Sequence, residues 1–148
     1  MLHSLSSIIQ REVSKIQEEL GLYSDETLIW KTHEEISNSA GNIALHVAGN
    51  LQHFIGATLG KTGYVRNREL EFEAKNVPLG HIISDLENAK LAVDTTLLNL
   101  DEFEVQKLFP IDVFGGDKST EWFLVHLLSH TSYHLGQINY HRRLLESL

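Results

Sequence analysis

The feature that most constrains this chain is the spacing of the histidines near its C-terminus. Residues 121–145 have the apolar periodicity of one long helix, and they hold four of the nine histidines. At 100° per residue, five polar side chains fall within roughly 80° of one another on that helix. They are His126, His130, His134, Gln137 and His141. The same face carries Phe123 and Leu144, so these side chains should point toward a protein core.

Two imidazoles four residues apart on a helix can hold one metal ion between them. His126, His130 and His134 form two consecutive pairs at this spacing, on an apolar face, which favours a metal site. The alternative is a set of core histidines held by hydrogen bonds to the backbone or to Tyr133 and Tyr140. This face alone leaves both interpretations open.

Composition limits the chemistry of such a site. The chain has no cysteine, so any metal must take nitrogen and oxygen ligands, and any thiol must come from outside. The formal net charge is −8 without a basic cluster, which argues against a nucleic-acid partner. The N-terminus does not resemble a signal peptide, and no apolar run is long enough to span a membrane. We expect a soluble cytoplasmic protein with one domain over residues 1–148.

The apolar pattern predicts an all-α fold. Periodicity, caps and glycine stops predict four main helices near residues 2–20, 39–59, 79–100 and 119–146. Two connections, residues 60–77 and 101–119, are long enough to cross over a bundle. Within residues 22–37, a short capped turn should place Trp30 against the bundle.

The second predicted helix carries its own polar edge. Asn42, His46, Asn50 and His53 lie within roughly 80° of one another beside its apolar stripe. A histidine at this edge can reach the bundle interior. A lone histidine there is more often structural, so the interest of His46 depends on the histidine face of the last helix.

The connection over residues 60–77 alternates in charge. Arg66 and Arg68 stand among three glutamates, which are Glu69, Glu71 and Glu73. The simplest interpretation is ion pairing at the surface, which stabilises a fold little. The alternative is that one arginine reaches over the mouth of the site to an anionic group of a substrate.

Three segments together resemble one protein family. They are NIALHVAGNLQHF on the second helix, YVRNRELEF in the connection over residues 60–77 and HLLSHTSYHLGQINYHRRLL on the last helix. These segments resemble the DinB-like (DinB/YfiT) superfamily of bacterial four-helix-bundle metalloproteins, over nearly the whole chain. The resemblance implies an antiparallel four-helix bundle of up-down-down-up topology with crossover loops.

The resemblance also implies one divalent metal ion, held by one histidine of the second helix and two of the last. Carried onto this chain, the ligands are His46, His130 and His134. Three neutral imidazoles leave coordination positions open, as in catalytic sites, and they suit nickel, zinc or iron. The chain holds more histidines than the family pattern needs. The remaining alternative ligands are His53, His126 and His141.

Characterised relatives in the superfamily include thiol S-transferases that use bacillithiol and isomerases that depend on mycothiol. The resemblance therefore implies a metal-dependent transferase, in which a low-molecular-weight thiol ionises at the metal and attacks an electrophilic substrate. Gln137 and His141 continue the polar face and are expected to orient a ligand.

Two other functions use the same three histidines. One is a metal-binding or stress-response module without turnover. The other is a metal-water hydrolase, which needs a general base. No Asp or Glu falls on the histidine faces of the two helices, although Glu69 or Glu71 could supply a carboxylate from the connection over residues 60–77.

Two glycines suggest self-association. Gly56 and Gly136 interrupt predicted helices and would let another helix approach closely. Because bundles of this type often pair, we expect a homodimer.

Overall fold

The computed structural model describes all residues, 1–148, and contains helices but no β-strand. The α-helices are α1 Leu2–Gly21, α2 Ala40–Leu51, α3 Arg68–Glu73, α4 Leu79–Asn99, α5 Glu102–Gln106 and α6 Thr120–Ser147. A 3₁₀ turn spans Glu26–Trp30, and α2 continues as a π-helix over Gln52–Leu59. The four predicted long helices are confirmed.

Helix α1 runs parallel to α6. Ser132 donates a hydrogen bond to Glu12 at 3.1 Å, and Asn139 donates one to Glu19 at 2.7 Å. Residue numbers therefore rise together along the two helices. Helix α4 runs the opposite way, because Ser6 of α1 donates to Asp94 at 3.0 Å whereas the later Gln10 donates to the earlier Lys90 carbonyl at 2.6 Å.

Helix α2 is antiparallel to α6 and parallel to α4. The ring of His46 packs against His130 of α6, and the later Phe54 packs against the earlier Phe123. Since α6 is parallel to α1 and α4 is antiparallel to α1, a helix α2 that is antiparallel to α6 runs in the same direction as α4. The topology is up-down-down-up, as predicted.

Apolar stripes from the four long helices meet in one core. Helix α1 contributes Ile9, Val13, Ile16 and Leu20, each at most 1% exposed. Burial of one such side chain contributes about 1.5–3 kcal/mol, so these stripes fix the helix rotations that aim the polar side chains of α2 and α6. Serine caps set the starts of those two helices: Ser39 accepts from the Asn42 amide, and Ser119 accepts from the Trp122 amide.

The first connection, residues 22–39, is anchored by an indole ring. Asp25 accepts a hydrogen bond from the Thr27 amide at 2.8 Å and so caps the 3₁₀ turn. Trp30 packs against Gly41 of α2, where a Cβ would fall 2.8 Å from the ring. The predicted capped turn and the position of Trp30 are confirmed.

The two later connections contain the short helices α3 and α5, which the sequence pattern does not predict. Asn67 caps α3 by accepting from the Leu70 amide, and Asp101 caps α5 by accepting from the Glu104 amide. Helices of one or two turns show too little periodicity to be recognised in a sequence. Helix α3 packs on α2, which places its side chains beside His46.

Of the two glycines proposed for a dimer interface, Gly56 packs within its own chain. A Cβ there would lie 3.1 Å from the Ala92 Cβ. Gly136 has no neighbouring atom within 4 Å of the corresponding position. The homodimer stays a prediction, now with Gly136 as its support.

None of the helices combines the length and the apolar composition that crossing a membrane requires.

Candidate metal centre

Helices α2 and α6 bring three imidazoles to one point. Nε2 of His130 lies 3.2 Å from Nε2 of His46 and 3.1 Å from Nε2 of His134. The three possible ligand atoms all lie within 4.8 Å of one another. His46 is buried and the other two histidines are half-buried. These are the three residues that the family resemblance implied as ligands.

Two of the three separations match the requirements of a single ion. Two nitrogens that each lie about 2.0–2.1 Å from one zinc ion are about 2.8–3.4 Å apart when the angle at the ion is about 90–109°. Both measured Nε2–Nε2 distances, 3.1 and 3.2 Å, fall in this range. The donor set is three imidazole nitrogens, which suits divalent nickel, zinc and iron.

Neighbouring side chains fix which nitrogen of two of these rings is free. Nδ1 of His46 lies 3.0 Å from Oε1 of Glu71, and a carboxylate can only accept, so Nδ1 carries the proton. Nδ1 of His134 likewise donates to Oε1 of Gln137 at 2.6 Å. In a neutral imidazole the other nitrogen then holds a lone pair. Nε2 of both rings therefore presents a lone pair toward His130.

His130 cannot satisfy both lone pairs. Burial, together with the nearby His134, His46 and Arg66, lowers the pKa of His130 to about 3, so its ring is neutral near pH 7. A proton on its Nε2 could serve one partner, and a proton on its Nδ1 would serve none, because that atom is buried without a partner. A cation among the three Nε2 atoms would satisfy all of them. This electrostatic mismatch argues against the alternative of purely structural histidines.

Glu71 of α3 is held by Arg66, whose side chain is largely but not fully buried. Nε of Arg66 lies 2.8 Å from Oε2 and Nη2 lies 2.8 Å from Oε1, and the exposed fractions of the two side chains are 10% and 7%. Burial would raise the pKa of the Glu71 carboxyl, but hydrogen bonds from His46 and Arg66 lower it below its usual range. The interpretation of this pair as a surface contact was wrong.

Charge-assisted hydrogen bonds link Arg66 to Glu71 and Glu71 to His46, behind the histidine cluster. Nη2 of Arg66 also lies 3.3 Å from Nδ1 of His46, but it cannot donate to a nitrogen that already carries a proton, so we assign its bond to Glu71. A carboxylate behind a metal-binding histidine fixes the tautomer and raises the basicity of the ring. Glu71 thus orients His46, and both its oxygens are occupied.

Gly49 makes room for this carboxylate. It lies three residues after His46 on α2, and a Cβ at this position would lie 2.1 Å from Oε2 of Glu71. Any residue larger than glycine at position 49 would therefore displace the Glu71 carboxylate. The role of Gly49 could not be read from the sequence, although it lies within the LHVAGN segment that carried the family resemblance.

We expect the Gly49→Ala variant to bind metal about 10- to 100-fold more weakly than the wild type, because the methyl group displaces the carboxylate that orients His46. Isothermal titration with nickel or zinc measures the change. Gly80→Ala is the matched control, since Gly80 is also helical and has no atom within 4 Å of its Cβ position. Equal affinities for Gly49→Ala and the wild type would show that Glu71 does not support the site.

A model of the family described as "Protein of unknown function (DUF1572)" matches residues 2–147 of the chain. The chain belongs to the DUF1572 family. DUF1572 is a DinB/YfiT-like family, in agreement with the resemblance found in the sequence. A comparison with curated proteins gave no match.

Two of the other histidines of this DUF1572 protein lie outside the cluster. The ring of His126 stacks on Trp122 at 5.6 Å between centroids, and it forms a T-shaped contact with Phe114 at 4.8 Å between centroids. His53 packs against Phe54 at 4.7 Å between ring centroids. Neither residue joins the three imidazoles, although sequence reasoning kept both as alternative ligands.

His141 is the third alternative ligand, and it anchors the first connection instead. Its Nε2 donates to the Lys31 carbonyl at 2.8 Å. Burial lowers the pKa of His141, so its Nδ1 is unprotonated near neutral pH and accepts from the Tyr23 hydroxyl at 2.7 Å. Both ring nitrogens are occupied. The expected roles of His141 and Gln137 in orienting a ligand stay predictions, and the observed partners of Gln137 are His134 and the Tyr133 hydroxyl.

The histidines with displaced pKa values all shift in one direction. Burial is the largest cause of the lowered pKa in each case. These residues are His53, His126, His130, His134 and His141. The ordinary pKa of histidine is about 6.5. Below this pH the unfolded chain therefore binds more protons at these histidines than the folded chain does.

We expect the free energy of unfolding of the metal-free DUF1572 protein to fall as the pH is lowered from about 7 to about 5. Urea titrations in the presence of a chelator measure this dependence. The slope should decrease in the His141→Gln variant, which has one fewer group to protonate on unfolding. A stability that stays constant or rises over this interval would contradict the downward shifts.

Proposed function

We propose that this protein uses one divalent metal ion, held by His46, His130 and His134, to transfer a low-molecular-weight thiol to an electrophilic substrate. The observation that carries the proposal is the convergence of three Nε2 atoms, two of which have lone pairs fixed by Glu71 and Gln137. Such an arrangement has three protein ligands and leaves coordination positions for an exogenous group.

A bound ion would supply acidity, since a thiol that coordinates a divalent metal loses its proton near neutral pH. The thiol proton would pass to water, the sulfur would form a bond to the electrophilic carbon, and the leaving group would depart with the electron pair of its broken bond. The protein residues hold the three donor atoms in place. Glu71 and Gln137 do this by accepting the Nδ1 protons of His46 and His134.

The surroundings of the cluster favour a thiolate over a water nucleophile. Hydrolysis by a metal-activated water usually needs a general base close by. Glu71 is the carboxylate that contacts the cluster, and its oxygens are engaged by His46 and Arg66. A thiolate needs no base once it has ionised.

We also retain the homodimer and the cytoplasmic location as parts of this proposal.

The test compares protein loaded with nickel, zinc or iron(II), and the probes are bacillithiol, cysteine and cysteamine with 1-chloro-2,4-dinitrobenzene. Formation of the thioether is followed by absorbance. We expect metal-dependent turnover that is lost in the His134→Ala variant. If the wild type reacts no faster than this variant with any thiol or metal, while one metal ion still binds per chain, the non-catalytic metal-binding module is the better conclusion.

A further inference from the structure

A cavity of about 500 Å³ lies between the first connection, the start of α2 and the second half of α6. Gln137 is in its wall and accepts the Nδ1 proton of His134 at 2.6 Å. Ile43, also in the wall, precedes His46 by three residues on α2. The cavity is therefore one helical turn from the cluster along both helices.

The size and lining of the cavity suit a small organic molecule. Its volume lies within the roughly 300–1,000 Å³ that is usual for such sites. The lining residues are Glu35, Ile36, Ser37, Asn38, Ile43, Gln137, Tyr140, His141 and Leu144. Three aliphatic side chains and a tyrosine offer an apolar surface, and serine and two amides offer hydrogen bonds. A ligand with a short apolar part and one polar end would use both.

The lining of the cavity carries a negative charge and no positive charge. Glu35 is the charged residue in the wall, and no lysine or arginine lines the cavity. Both ring nitrogens of His141 are occupied, as described above. Arg143 lies over the ring of Tyr140 at 5.4 Å but is not part of the lining. The formal net charge of −8 adds to the negative potential, which disfavours a ligand with several carboxylates.

We propose that this cavity binds a small molecule with a protonated amine and no carboxylate, with the amine at Glu35 and the apolar part against Ile43 and Leu144. This inference rests on the proposed function, and it identifies the transferred thiol as a cationic aminothiol whose sulfur reaches the histidine cluster past Gln137. Thiols that carry several carboxylates, bacillithiol among them, find no cation here to pair with. The amine site itself does not require a metal.

The test uses three thiols of similar size, which are cysteamine, 3-mercaptopropionate and 2-mercaptoethanol, and an amine without sulfur, benzylamine. Calorimetry measures their binding to zinc-loaded protein, and NMR chemical shifts measure benzylamine binding to metal-free protein. Cysteamine should bind at least about 10-fold more tightly than 3-mercaptopropionate, because one charge is attracted and the other repelled. The Glu35→Gln variant should weaken cysteamine and benzylamine binding about 3- to 5-fold.

Glu34→Gln is the matched control, since Glu34 is the adjacent residue and does not line the cavity. Equal binding of cysteamine and 3-mercaptopropionate, or no effect of Glu35→Gln on either amine, overturns the inference and leaves the thiol-transfer proposal standing. Benzylamine that binds metal-free protein through Glu35, with no thiol bound to the zinc-loaded form, supports the amine site and overturns thiol transfer instead.

Discussion

The His130→Ala variant is expected to lose stoichiometric binding of a divalent metal. Nε2 of His130 is the atom that both other ligands approach, at 3.1 and 3.2 Å, so its removal leaves two imidazoles on different helices. The loss of affinity should exceed the roughly 10- to 100-fold that removal of an outer-shell partner costs. Titration calorimetry and elemental analysis measure binding, and circular dichroism measures the fold. We expect the fold to persist, since Nδ1 of His130 makes no hydrogen bond that the mutation would break.

Two further variants control this experiment. His81→Ala removes an exposed histidine elsewhere and should bind metal like the wild type. His126→Ala removes the neighbour one turn before His130 and should do the same, because His126 stacks on Trp122 and is not among the three converging rings. A full metal equivalent retained by His130→Ala, or one lost from His126→Ala, would show that the ligand set is wrong.

The Glu71→Ala variant is expected to lose both stability and metal affinity. Arg66 would be left as a buried charge without its partner, which destabilises a protein by about 3–5 kcal/mol. Nδ1 of His46 would lose its acceptor at 3.0 Å, and metal affinity should fall about 10- to 100-fold. Urea denaturation measures the first effect and calorimetry measures the second. Glu69→Ala, an exposed change on the same short helix, should alter neither.

A double variant separates the two effects of Glu71. Replacing Arg66 by methionine and Glu71 by leucine removes both buried charges, so much of the stability should return. Metal affinity should remain low, since leucine cannot accept the proton of His46 Nδ1. A double variant that recovers metal binding along with stability would show that Glu71 acts only by holding the fold.

The sequence predicted those parts of the fold that depend on one segment at a time. Apolar periodicity determined the four long helices, and the fixed angle per residue placed His130 and His134 on one face of α6. His46 could be assigned through the family resemblance because it faces the same interior from α2. Within a regular helix, sequence position determines side-chain direction, which is why the four long helices and the convergence of these three histidines agree with the structure. Their assignment as metal ligands stays a prediction.

The remaining parts depend on where the connections pack. Glu71 and Gly49 meet because α3 folds back onto α2, and nothing local in the alternating charges of that segment indicates that its Arg66 becomes buried. His141 shares the histidine face of α6, but Tyr23 and the Lys31 carbonyl reach it from the first connection. A glycine within a helix can allow close packing either within one chain or between two chains. Gly56 packs closely against Ala92 of its own chain.

The most direct test of the three-histidine site is anomalous diffraction from crystals of the protein loaded with nickel or zinc, recorded above and below the absorption edge. One anomalous peak should lie about 2.0–2.1 Å from Nε2 of His46, His130 and His134, with Nδ1 of His46 still bonded to Glu71. A peak bound by any other set of residues, or no peak among these three rings in crystals that contain a full equivalent of metal, would contradict the assignment.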